Sequence, residues 1–381
     1  MKLFKSLLVA PATLGLLAPI AATANEVTIN DFAPAEQLAI TNSRVDGLEA
    51  RLNNFEAGSF SETTTASFSV DFAVGSVDGK DVTTTQKDGD EDLQANYGLQ
   101  IDLNTSFTGE DSLDISIDAG NDTTKTSPLQ EFDLNDGSEA LSIDGIAYTF
   151  PLGSATAFVG DNTDGSYLFT TACAYVGPSD TLYDCANTTA GITGGAVAMG
   201  AAYDFDNGFT TAFGIQFDNT GVTGLATDES EDSYALNAAY IGDSYGVSVT
   251  YATVEDSTTG ADNDTFTALN GYYSFDNGLN ISAGYELGDY DGVSALADEA
   301  EAYFVGINGE VGPGELGAAL GTAGLQIESA GSIPDRMMYE VYYSYAVNDG
   351  MTITPLVFSK EASSTTTSDE TGIMVKTSFS F

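Results

Sequence analysis

The last eleven residues constrain the fold most. Ile373, Val375, Thr377, Phe379 and Phe381 fall on one side of an extended segment, and Met374, Lys376, Ser378 and Ser380 on the other. A period of two is that of a β-strand with unlike faces. In a soluble sheet such a strand, ending on an aromatic, would leave a greasy unpaired edge that invites aggregation. A strand that closes a barrel in lipid has no free edge, and its apolar side needs no protein partner. The stretch therefore predicts the closing strand of a transmembrane β-barrel. A C-terminal strand of a sandwich is the competing reading, and the rest of the chain decides between them.

The amino terminus sets the compartment. Lys2 and Lys5 precede an apolar run from Leu7 to Ile20 that Thr13, Pro11, Gly15 and Pro19 interrupt, and Ala22-Thr23-Ala24 follows. A basic start, a short apolar core and an A-x-A site predict a secretory signal peptide over residues 1–24. The run is too short and too broken for a membrane anchor. No later stretch approaches the length of a helical span.

Charge narrows the function classes. The chain carries 57 acidic residues against 10 basic ones, two of which lie in the signal segment, and it has no His and no Trp. Such an excess excludes nucleic acid as a natural partner. Disorder is excluded too, because 19 Tyr and 21 Phe are too many for a disordered acidic chain. Without His there is no Ser-His or Cys-His dyad and no His metal site, so no catalytic residue is assigned. The chain reads as a non-enzyme.

Residues 25–58 predict a periplasmic segment with a helix over about 35–57, opened by Pro34 and stopped by Gly58. Leu38, Val45 and Leu52 take the a positions of a heptad, and Thr41, Leu48 and Phe55 the d positions. Three heptads make a short coiled coil, which serves to hold together chains already associated. A helix packed on the barrel mouth, or plugging it, is the alternative.

Residues 59–381 alternate short and long connections. Asp206-Asn207-Gly208, Asp276-Asn277-Gly278 and Asn348-Asp349-Gly350 are hairpin turns by composition, each preceded by an aromatic-rich strand end. Seven short turns and eight long polar loops join sixteen strands. These are 60–75, 93–107, 112–118, 140–150, 153–160, 195–205, 208–218, 233–241, 245–254, 264–275, 279–288, 301–308, 315–325, 337–347, 350–358 and 371–381. The fold class is thus all-β, a sixteen-stranded antiparallel barrel, with fourteen or eighteen strands left open. The short turns face the periplasm in this reading and the long loops the outside. Alternation changes phase within Leu141–Phe150, which predicts a bulge, and Pro355 removes a ladder donor inside a strand.

The longest connection, Asp161 to Gly194, holds both cysteines, Cys173 and Cys185. In an oxidising compartment they predict one disulfide, closing a loop worth roughly 3 kcal/mol in the entropy model. Whether this third loop enters the lumen stays open. Candidate pore and selectivity residues are Asp71, Asp102, Asp114, Asp204 and Glu340 on the polar sides of their strands, and Asp161, Asp164, Asp180 and Asp184 in the third loop. No Lys or Arg occurs between Thr126 and Asp335. A lumen lined this way favours cations or neutral solutes. Alternatively most of these acids are solvated in outer loops. Asp161-Asn162-Thr163-Asp164-Gly165 and Asp88-Gly89-Asp90-Glu91-Asp92 could hold Ca²⁺, though they lack the full loop spacing and the closing Glu. No other cofactor is expected.

Several runs resemble the porins of marine picocyanobacteria. They are the signal from Met1 through Thr13, Phe60-Ser61-Glu62-Thr63-Thr64-Thr65-Ala66, Ile101-Asp102-Leu103-Asn104-Thr105-Ser106-Phe107-Thr108-Gly109-Glu110-Asp111, and Tyr203-Asp204-Phe205-Asp206-Asn207-Gly208. The wider group is the cyanobacterial Som-type porins, related to OprB-like carbohydrate porins. The resemblance implies a trimeric outer-membrane channel for small solutes and inorganic ions, with carbohydrates or iron species among the candidates. By its position the third loop also resembles that of trimeric general porins, which implies that it folds into the lumen and narrows the channel. The terminal Phe379 and Phe381 resemble the signal by which the barrel-assembly machinery recognises such chains. Family members carry an S-layer-homology domain before the coiled coil; here a short segment precedes the heptads, so cell-wall binding is not carried over. Two readings compete with a passive porin: a non-conducting structural or receptor barrel, and a soluble secreted β protein.

Overall fold

A computed structural model of the chain describes residues 64–79, 93–121, 129–135, 139–217, 225–227, 231–255, 263–290, 299–327, 335–362 and 368–381. The chain divides into two units, Met1–Ser59 and Phe60–Phe381. The signal peptide, the coiled-coil helix and the Asp88–Asp92 stretch lie outside the described residues.

Among the described residues the second unit is almost entirely β. Its strands are β1 (Thr64–Asp78), β2 (Gln94–Thr105), β3 (Ser112–Gly120), β4 (Ser142–Leu152), β5 (Ala155–Thr163), β6 (Ala196–Asp204), β7 (Phe209–Phe217), β8 (Ser233–Ile241) and β9 (Tyr245–Val254). They continue as β10 (Asp264–Ser274), β11 (Leu279–Asp289), β12 (Glu299–Val311), β13 (Gly314–Thr322), β14 (Gln326–Ile327), β15 (Met337–Asn348), β16 (Met351–Lys360) and β17 (Glu370–Ser380). Apart from the two-residue β14, which adds to the outer end of β12, the other sixteen pair antiparallel, each with its sequence neighbour. β1 pairs with both β2 and β17, so the sheet closes. No helix among the described residues is long and apolar enough to cross a membrane. Closure leaves no edge, the only way a sheet satisfies its backbone in hydrocarbon.

The closing seam is the C-terminal strand. Val70 lies opposite Phe379 and Val74 opposite Val375. Phe68 and Phe381 exchange backbone hydrogen bonds of 3.0 Å in both directions, and their rings stack at 6.1 Å. Ile373, Val375 and Phe381 are exposed on the outer surface, while Met374 is buried inside.

Alternation does what the sequence requires of it. Phe72, Val74, Phe213, Leu236, Val249, Leu269, Leu287, Val305, Val341 and Val357 stand exposed on the outer face. Asn237, Ser248, Thr250, Asn270, Ser282 and Glu286 point inward and are buried. The expected bulge falls between β3 and β4. Ser116 pairs with Gly145 and Ile117 with Ile143, so Asp144 is the extra residue. Opposite Pro355 the β15–β16 ladder skips from the Tyr342–Leu356 pair to the Tyr345–Ile353 pair, as a missing donor demands.

Some boundaries differ. The connection expected at Gly309–Gly314 is only Gly312 and Pro313, because β12 runs on to Val311. Gly312 takes φ 64° there, a left-handed conformation that glycine adopts without strain. Pro151 lies in β4 rather than in a turn, and Asp161 belongs to β5 rather than to the third loop.

Candidate functional site

The interior of the barrel is the candidate site, and two of the long connections occupy it. The third, between β5 and β6, enters the lumen and runs along the inner wall from β7 to β15. Each step rests on an inward polar side chain. The Gly165 N–H donates to Gln216 Oε1 at 3.0 Å. The Thr170 N–H donates to Asn237 Oδ1 at 3.1 Å, and the Ala172 N–H to Ser248 Oγ at 2.9 Å. The Ala174 N–H reaches Ser282 Oγ at 2.9 Å, and Asn270 Nδ2 donates to the Cys185 carbonyl at 2.7 Å. Glu286, fully buried, accepts from the consecutive N–H groups of Thr188, Thr189 and Ala190. The wall is cut back to admit the backbone. A Cβ on Gly214 would collide with the Gly165 carbonyl, and one on Gly284 with the Cys185 carbonyl.

Cys173 and Cys185 form a disulfide with a Cα–Cα distance of 6.5 Å, joining the two limbs of this loop. Between them lies a one-turn helix, α1 (Asp180–Tyr183). Tyr175 inserts beside Phe304 and Tyr342, with ring centroids at 5.3 and 5.8 Å, and donates its hydroxyl to Glu340 Oε1 at 2.6 Å. Burial, and then the Glu340 charge, holds the Tyr175 hydroxyl well above the usual phenol range.

In the second connection, between β3 and β4, the described residues 129–135 also lie inside, around a 3₁₀ turn at Gln130–Phe132. Leu129, Phe132 and Leu134 are buried with Leu182 of α1 and with inward-facing Ala73, Val77, Met338, Leu356, Phe358 and Met374. An apolar cluster therefore stands inside the barrel against β15, β16, β17 and β1. Glu131 is 4% exposed. It is paired with Lys360 of β16 and accepts from the Thr181 N–H at 3.3 Å and Thr181 Oγ1 at 3.1 Å. Lys376 sits 5.4 Å from the Phe132 ring centroid and 3.7 Å from Asp71 Oδ2.

The inner wall over β2 to β5 is polar, and a cavity lies against its β3 to β5 part. That wall carries Gln100, Asp102, Asn104, Asp114, Ser116, Asp118 and Asp144, tied laterally by Ser116 Oγ to Asp102 at 2.8 Å, Asn104 Nδ2 to Asp114 at 2.5 Å and Ser142 Oγ to Asp118 at 2.7 Å. A cavity of about 530 Å³ is bounded by Asp114, Asp144, Asp164, Tyr167 and Gly194. Basic side chains among the described residues are Arg336, Lys360 and Lys376, and none stands on this wall. A one-signed wall in a cleft with low-dielectric sides concentrates cations.

The nine candidate acids thus separate. Asp102 and Asp114 face the open side, and Asp71 stands on neighbouring β1 beside Lys376. Glu340 is 2% exposed and serves the loop rather than the passage. Asp164 accepts from the Gly194 and Gly195 N–H groups at 2.9 and 3.2 Å, pinning the two ends of the third loop. Asp180 opens α1, and burial pushes its carboxyl up to about 6, with Asp133 and Glu131 adding to the shift. Asp184 ends α1 and is pushed up to about 7 by burial, against the lowering hydrogen bond from Ala186. Asp161 is exposed at the end of β5, opposite outward-facing Ile146, so it is corrected from a lumen candidate to the outer rim. Asp204 is exposed beside the Asp206–Gly208 turn and accepts from the Asp206 N–H at 2.8 Å; it belongs to the rim on the short-turn side. Among the described residues no group of three or more His, Cys, Asp or Glu is placed to hold a metal ion.

Sequence reasoning missed Glu131, Lys360, Glu286, Asp118 and Asp144. One signal was present. Leu356-Val357-Phe358 is apolar on both faces of β16, which a wet lumen does not explain and an inner apolar cluster does.

No protein-family model matches the chain. One curated relative, a protein of Nostoc sp. described as uncharacterized, is 31% identical over 160 residues, 36% of this chain. The match spans 27% of that relative's length. Among solved structures, two engineered variants of the Rhodopseudomonas blastica porin superpose with TM-scores of 0.56 and 0.55 at 15% and 14% identity, over 84% of this chain and 100% of theirs. At that identity the likeness concerns the fold alone. The chain has the fold of a sixteen-stranded porin barrel.

Proposed function

We propose that the chain is a porin of a bacterial outer membrane, forming a passive, cation-preferring channel for small hydrophilic solutes and inorganic ions. The observation that carries this reading is the polar inner wall of β2 to β5, which bears Asp102, Asp114 and Asp144 with no basic neighbour among the described residues. The exposed apolar belt of the barrel supports lipid contact. A secretory signal, a homotrimer aided by the coiled coil, and assembly through Phe379 and Phe381 complete the proposal. Carbohydrates or iron species are candidate solutes, and Ca²⁺ on outer loops is a further element of it. Planar-bilayer recording tests the whole: the purified barrel opens discrete conductance steps, and a KCl gradient gives a reversal potential on the cation side. An anion-side value refutes the acidic-wall reading.

The apolar cluster inside the barrel favours a second reading, a non-conducting surface barrel. A well-folded, heat-modifiable barrel that opens no conductance step establishes that reading instead.

A further inference from the structure

Lys360 holds an unusual place. It is one of three basic side chains among the described residues, lies on the inner face of β16, and is nearly buried, with 12% of its side chain exposed. It pairs with Glu131 and, at 3.5 Å, with Glu370 of β17. Glu131 in turn accepts from the Thr181 N–H and hydroxyl in α1. Wall, second loop and third loop therefore meet at one carboxylate. Asp133 and Asp180 add negative charge around it, so among the described residues Lys360 is the cation that offsets the burial of Glu131.

We propose that Lys360 is the positioning residue of the constriction: through Glu131 it holds the second and third loops to the wall as one unit and so sets the width of the passage. The inference deepens the channel reading and rests on it for the meaning of width. Removing Lys360 leaves a buried carboxylate without its partner. Breaking such a pair costs far more than replacing both partners. The segment around Gln130–Phe132 then moves to hydrate Glu131 and takes α1 with it.

The test compares four full-length barrels in detergent and in planar bilayers: wild type, Lys360→Met, Lys360→Arg, and Lys360→Met combined with Glu131→Gln. Lys360→Met raises single-channel conductance about twofold and admits larger neutral polyethylene glycols, as a wider pore requires. Lys360→Arg keeps the wild-type cut-off. The double variant returns towards it, because a neutral amide in place of the Glu131 carboxylate no longer needs a cation and still accepts from Thr181. Amide exchange over residues 129–135 and 180–185 reads the same displacement without any current. It accelerates in Lys360→Met and is restored in the double variant. A Lys360→Met barrel with wild-type cut-off and wild-type exchange overturns the inference. A wild-type barrel that passes no ions overturns the channel reading, and the exchange arm then still decides whether Lys360 joins the loops.

Discussion

Asp184 shows how one buried group couples the interior to pH. Its carboxyl is pushed up to about 7 by burial, from an ordinary value of 3.8. A group whose pKa is raised by docking binds more protons docked than undocked. Docking of the third loop is therefore fully favoured below about 4, and that share of its stability is lost as pH rises through about 7. Asp180, pushed up to about 6, acts in the same direction. Ionisation alone does not expel the loop. Leu182 of this loop, buried against Leu129, Phe132 and Leu134 of the second connection, contributes on the order of 2 kcal/mol, and the Glu286 clasp adds charge-assisted hydrogen bonds. The expected result is a modest rise in conductance and open-channel noise from pH 5 to pH 8. In Asp184→Asn this rise shrinks, because the amide oxygen still accepts from Ala186 N–H and nothing titrates. Bilayer recording across that range checks it; an unchanged profile in the variant removes Asp184 from the account.

At the level of elements, the closing strand β17 and the two inward loops obey different rules. β17 is specified by its own alternation and by the seam it makes with β1. Phe381 contributes two backbone hydrogen bonds and a stacked ring at the end of that seam. Deleting Phe381 removes both, and is expected to lower the temperature at which the folded barrel shifts its gel mobility and to slow assembly in vitro. A net hydrogen bond is worth about 1 kcal/mol and an aromatic pair about as much, so the barrel folds but frays sooner. Equal midpoints for the truncated and full-length chains contradict this. The strands were legible because period-two patterning is local; β8 and β9 begin and end where alternation and turns place them. The course of the loops was not. Thr170 meets Asn237, Ala172 meets Ser248 and Tyr175 meets Glu340, separations of 67, 76 and 165 residues. No window of sequence contains both halves of such a contact.

For the whole molecule, charge and closure act together. Formal net charge is −47, and the three described cations are all drawn into inner or rim contacts with carboxyl or carbonyl groups. Among the described residues the charged side chains on the inner β2–β5 side are consequently all acidic. Replacing Asp102, Asp114 and Asp144 together by Asn is expected to move the reversal potential in a KCl gradient towards zero with little change in polymer cut-off. Because the Debye length is about 8 Å at physiological ionic strength, the shift is larger in dilute salt. Retention of the full cation preference in that triple variant locates selectivity elsewhere. Sequence alone pointed to about sixteen strands, with fourteen or eighteen left open, to the outward side of the strands that alternate cleanly, to a bulge within Leu141–Phe150 and to the acid surplus, since each follows from neighbours within one strand or from composition. Only the tertiary structure decided which acids meet solvent inside the barrel and which are taken up by the inward loops. The closed sheet brings distant inner walls together, and the space left by two folded-in loops, rather than the residues' own chemistry, separates Asp114 from Glu340.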